Sequence, residues 1–108
     1  MKQYLNSEQT AKLIELGLPK PKSMNGEYNG WQFMPTPAYS IGELIEMLPR
    51  TIKSYYDLCI LSTTQGWWIL YGIIGDGDMW SVEYEVHSNE LIYALYEMAI
   101  KLKEEGVI

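Results

Sequence analysis

A chain with one Cys and one His in 108 residues has few of the groups that nucleophilic, redox and metal chemistry require. Cys59 cannot form an internal disulfide, and in its apolar setting it reads as a small buried hydrophobe of a reducing compartment. No glycine-rich phosphate loop is present, which removes the simplest route to a nucleotide-binding function. Basic residues are scarce: 8 Lys and Arg against 14 Asp and Glu leave a net charge of −6. Sequence-independent binding to a phosphate backbone needs clustered cations, and the Lys20 and Lys22 pair is too small to supply them, so no nucleic-acid partner is expected. Long apolar runs are missing as well. The longest, Trp67 to Ile74, falls far short of the ~20 residues that cross a bilayer as a helix. Met1 to Thr10 has no basic stretch leading into an apolar one, so neither a membrane anchor nor a secretory signal is expected and the cytoplasm is the expected location.

What is present is ordinary globular material, 47% hydrophobic and 20% charged, enough for one domain over residues 1–108 with its own core. Asn6 or Ser7 can cap a first helix through Thr10, Leu13, Ile14 and Leu16, which Gly17 ends. Leu18-Pro19-Lys20-Pro21-Lys22 must then run extended, because proline lacks the backbone donor and restricts its predecessor. From Ser23 to Tyr39, Asn25-Gly26 and Asn29-Gly30 signal turns around Tyr28, Trp31 and Phe33. The expectation there is an ordered loop with a short strand at Trp31 to Phe33. Ser40 and Glu43 have capping-box spacing for a second helix, with Leu44, Ile45 and Leu48 as its apolar face and Pro49 as its end.

Strand signals follow. Ser54 to Thr63 is rich in β-formers, and Thr64-Gln65-Gly66 turns it into a second strand, Trp67 to Ile74. Asp76-Gly77 favours a tight turn into a third, where Trp80, Val82, Tyr84 and Val86 alternate with Ser81, Glu83, Glu85 and His87. Ser88 is placed to cap the longest helix, Asn89 to about Glu105, whose stripe is Leu91, Ile92, Leu95, Met98, Ala99 and Leu102. The predicted fold is therefore α+β: a three-stranded antiparallel meander with helices on one face, in the order helix, loop, helix, three strands, helix.

Three stretches carry a resemblance: Thr10 to Pro21 with its Leu-Pro-Lys-Pro ending, Tyr39 to Pro49, and Glu90 to Gly106. Together they resemble small uncharacterised proteins encoded by phages and mobile elements of gut bacteria. The resemblance implies an accessory gene product of a bacterial cell and brings no catalytic residue with it.

Among possible sites, Gly75-Asp76-Gly77-Asp78 lacks the alternating ligands and distal glutamate of a calcium loop and reads as a turn, so no metal or cofactor is expected. His87 shares a strand face with Glu83 and Glu85, which could serve a small hydrolase-like enzyme. A second His, a nearby Cys or a nucleophile elbow is lacking, and no catalytic residue is assigned. The net negative charge also permits an acidic decoy of nucleic acid, but Asp and Glu are scattered and form no acidic run that would imitate phosphates.

The aromatic bias says more: four Trp and nine Tyr stand against one Phe, favouring rings with a polar tip that suit interfaces. Both alternating sets of the second strand are apolar, and only one can face the helices. If the turn pairs even residues with even ones, Trp68, Leu70 and Ile74 join the core. Trp67, Ile69, Tyr71 and Ile73 then lie open beside Glu83 and Glu85; a one-residue shift exchanges the two sets. The exposed set must be covered, either by the loop around Trp31 and Phe33 or by a protein partner, a second copy included. The expected function is a non-enzymatic protein-interaction module in which Trp67, Ile69, Tyr71 and Ile73 bind and Glu83 and Glu85 form the rim.

Overall fold

The computed structural model describes the backbone of residues 1–29, 32–74 and 80–108, and side chains outside 27–34 and 74–80. The fold is α+β, with three helices and two antiparallel sheets among the described residues. Helix α1 (Ser7–Glu15) begins at Asn6, whose side chain accepts from the Gln9 N–H while the Gln9 side chain returns to the Asn6 N–H. Helix α2 (Ile41–Met47) repeats the device with Ser40 and Glu43. Both starts follow from short polar side chains satisfying N–H groups that have no partner within the helix.

Between these helices the expected loop is instead a hairpin, β1 (Met24–Asn29) paired with β2 (Gln32–Pro37). Asn25-Gly26 lies inside β1, opposite Thr36 and Pro35, and makes no turn. Proline is tolerated in β2 because a two-stranded ribbon consists only of edges. Trp31 lies outside the described residues, as does the Phe33 side chain, so the suggested cover by this segment has no structural counterpart to report.

The second sheet has four strands, not the three of the predicted meander, in the order β3 (Thr51–Ile52), β4 (Tyr56–Thr63), β5 (Gly66–Ile74), β6 (Trp80–Ser88). The added β3 is only two residues long and pairs with the start of β4. Gly66 closes the β4–β5 turn at φ +126°, and a Cβ there would stand 2.5 Å from the Ser88 carbonyl oxygen, so only glycine fits without displacement. The Asp76-Gly77 turn lies outside the described residues.

Helix α3 (Leu91–Glu104) starts two residues later than the serine signal suggests. Its cap position is Glu90, with no side-chain cap bond, and Ser88 Oγ accepts from the Glu90 N–H instead. Buried Leu91, Ile92, Leu95, Met98, Ala99 and Leu102 confirm the predicted stripe. The helix lies on β5 and β6, and α1 and α2 pack against it. In α2, Leu44 and Leu48 are buried but Ile45 is exposed, so the apolar face is narrower than expected.

Candidate functional site

Which side of the sheet remains open is decided by one irregularity. Near the β5–β6 connection the register is even with even, Ile74 opposite Trp80 and Gly72 opposite Val82. Between Tyr71 and Gly72 the ladder slips by one residue, and beyond it Tyr71 faces Tyr84 and Ile69 faces Val86. The extra residue is Glu83, and such a bulge exchanges the faces of every later side chain on its strand. Val82 and Tyr84 therefore lie on opposite sides, although strict alternation would place them together.

Consequently Ile69 and Tyr71 are completely buried in the core cluster, and half-buried Trp67 packs against it. This corrects the expectation that Trp67, Ile69 and Tyr71 form the exposed binding set. The same side takes Leu58 and Ile60 from β4 and Tyr84 and Val86 from β6, all meeting the helices. Tyr71 donates its hydroxyl to the Pro49 carbonyl at 2.7 Å, and burial pushes that phenol far above its ordinary range. Ile73 stands opposite Ser81 in the same alternating set and is half-buried.

The open side carries the other set. Leu61, Trp68 and His87 form one cross-strand row, and Cys59, Leu70 and Glu85 form the next. Trp68 stacks on His87 with ring centroids 5.4 Å apart and planes 10° from parallel. Its indole N–H donates to Glu85 Oε2 at 3.0 Å, so the ring leans toward the Leu70 row. Leu70 has no exposed surface although it points away from the helices. Val82 is 38% exposed farther along this side. Cys59 is half-buried rather than fully buried. Burial and the neighbouring Asp57 carboxylate push its thiol up, away from the reactive thiolate form.

The acidic residues are divided. Glu85 belongs to the Trp68–His87 group, its carboxylate 3.8 Å from His87 Nε2. Glu83 instead pairs with Lys53, whose ammonium also lies over the Tyr84 ring. Of the three residues considered for hydrolysis, only Glu85 and His87 come together, and both are largely exposed. His87 lines a shallow depression of about 280 Å³ with Thr63, Thr64, Gln65 and Trp67, which supplies hydroxyls and an amide but no second acid or base. No group of three or more His, Cys, Asp or Glu among the described residues is arranged to hold a metal ion. No helix among them is long and apolar enough to cross a membrane.

Half-buried Trp68, on the side away from the helices, was not among the sequence-predicted site residues, because its signal, a tryptophan in an all-apolar strand, is identical for Trp67. Comparison with protein-family models, curated proteins and solved structures finds no match to this chain.

Proposed function

We propose that this protein is a non-enzymatic interaction module that holds a protein partner on the open side of its four-stranded sheet. The observation that carries the reading is Trp68, fixed on that side by stacking on His87 and by its hydrogen bond to Glu85. An aromatic ring already held in one orientation loses little conformational freedom on binding, which is a property of interface anchors. Leu61, Cys59 and Val82 extend the apolar surface around it, and Asp57 and Glu85 give it an acidic border. The matching partner surface is an apolar projection flanked by Lys or Arg. The resemblance of three segments to proteins of phages and mobile elements implies an accessory role in a bacterial cell.

The test is retention of a partner from bacterial lysate by wild type, Trp68→Ser, Val82→Glu and Tyr55→Ser, the last altering an exposed tyrosine elsewhere. A partner lost with the first two variants and kept by the third supports the reading. A partner indifferent to both face variants refutes it. His87→Ala should leave the fold intact; a turnover abolished by that change at unaltered stability would favour the hydrolase-like alternative around His87 and Glu85.

A further inference from the structure

The two edges of the four-stranded sheet are treated differently. Strand β6 is obstructed in three ways: it carries Glu83 and Glu85, it is bulged opposite Tyr71/Gly72, and the Lys101 ammonium donates to the Glu85 carbonyl at 3.2 Å. Charges, bulges and lysine are the devices by which proteins stop an edge from accepting another strand. The opposite edge has Asp57 and the two-residue strand β3 at its start but lacks these devices along residues 59–63. Strand β3 covers only Tyr56 and Asp57 of β4, and the next residue is also occupied, since the Leu58 N–H donates outward to the Arg50 carbonyl at 2.9 Å. Because outward-facing groups alternate along a strand, the N–H and C=O of Ile60 and Ser62 point outward too. No described residue pairs with them. The segment Cys59-Ile60-Leu61-Ser62-Thr63 contains no charge, proline or glycine.

We infer that this edge is a self-association site, at which β4 pairs antiparallel with β4 of a second copy about a two-fold axis through Leu61. That register sets Ile60 of one copy opposite Ser62 of the other, twice, each pair exchanging N–H···O bonds in both directions. It leaves β3 clear of the pairing, and it sets Leu61 against Leu61 on the open side of the joined sheets. A second copy fits better than a charged peptide because the segment is neutral and its free donors and acceptors complement each other by symmetry. The β6 edge would not pair with itself in this way, since an antiparallel pairing about Tyr84 sets Glu83 against Glu85. The inference uses an edge of the sheet and stands apart from the partner reading of its open side.

Sedimentation equilibrium of the full chain, together with residue-resolved hydrogen exchange, tests it. The expected mass is twice the 12.5 kDa of the chain, with the Ile60 and Ser62 amides protected and their protection fading on dilution. Ser62→Pro removes an outward N–H but no bond inside the sheet, so it should give a monomer with an unchanged circular dichroism spectrum. Should the proline variant not fold, Ser62→Lys places an ammonium on the same exposed edge and should give the same monomer. A wild type that stays monomeric up to about 1 mM would overturn the inference. So would a dimer whose Ile60 and Ser62 amides exchange freely, or one dissolved by Trp68→Ser but not by either Ser62 variant, which would place self-association on the open side.

Discussion

Tyr71 shows how much one side chain can settle. Its ring is completely buried and its hydroxyl satisfies the Pro49 carbonyl just beyond α2, so it fastens the sheet to the helical layer. Tyr71→Phe should cost about 1 kcal/mol in denaturant titrations, the usual net worth of such a bond. Tyr71→Lys should prevent folding, because an ammonium there would have no partner in the core. The phenol also makes stability depend on alkali. The folded-state pKa is raised while the unfolded chain ionises near the ordinary 10.0. The unfolded state therefore holds fewer protons above that pH, and stability falls as pH rises past it. Tyr71→Phe should make the decline shallower without abolishing it, since burial raises Tyr39 and Tyr96 as well. An equally steep decline in the variant would show that Tyr71 does not contribute. The sequence left the choice open, since a one-residue shift exchanges the two sets: Tyr71 and Leu70 are equally good core residues, and a single extra residue, Glu83, sets which of them faces the helices.

At the level of elements, structure is legible in the sequence where the physics is local. The caps at Asn6 and Ser40 need only a polar side chain three residues from its target, and both are present as expected. The stripe of α3 was equally plain, and fully buried Leu95 tests it: Leu95→Ala should cost about 2–5 kcal/mol in chemical unfolding, against under ~0.5 for an exposed site. The hairpin was missed because its order depends on pairing between β1 and β2, which no short window displays, while Asn25-Gly26 imitates a turn. Its base is held by Glu43, which caps α2 and also accepts from the Lys22 and Ser23 N–H groups at 2.7 and 3.1 Å. Partial burial opposes ionisation of this carboxylate, but hydrogen bonds from Ser23, Lys22 and Ser40 outweigh it and lower its pKa below the ordinary 4.5. The stabilisation is present above that value and fades as pH falls through the lowered pKa. Glu43→Ala should cost about 1 kcal/mol, as lost caps do, and should speed hydrogen exchange at Lys22 and Ser23. Unchanged exchange at both would show that the carboxylate does not anchor the hairpin.

The whole molecule is longer than a compact chain of its size. It measures 58 × 32 × 17 Å, and its radius of gyration is 15.5 Å, where about 13 Å is typical near 100 residues. The least dimension suits one sheet under one layer of helices. The great length goes with a ribbon that pairs internally and otherwise chiefly meets α1. The two ends of the ribbon are adjacent, since the Ala38 N–H donates to the Ser23 carbonyl at 3.1 Å. The core cluster of the helices and the larger sheet contains no residue from 24–37 among those described. Residues 24–37 should therefore be replaceable by a short Gly-Ser link. Closing so small a gap adds little entropy cost, so stability should change by about 1 kcal/mol or less. X-ray scattering should show the radius of gyration falling toward the compact value, with α3 and the four-stranded sheet retained by hydrogen exchange. Loss of cooperative unfolding in the shortened chain would mean instead that the ribbon completes the core. The same chain separates two roles: if it still retains a partner that Trp68→Ser loses, recognition belongs to the larger sheet and the ribbon is not required for it.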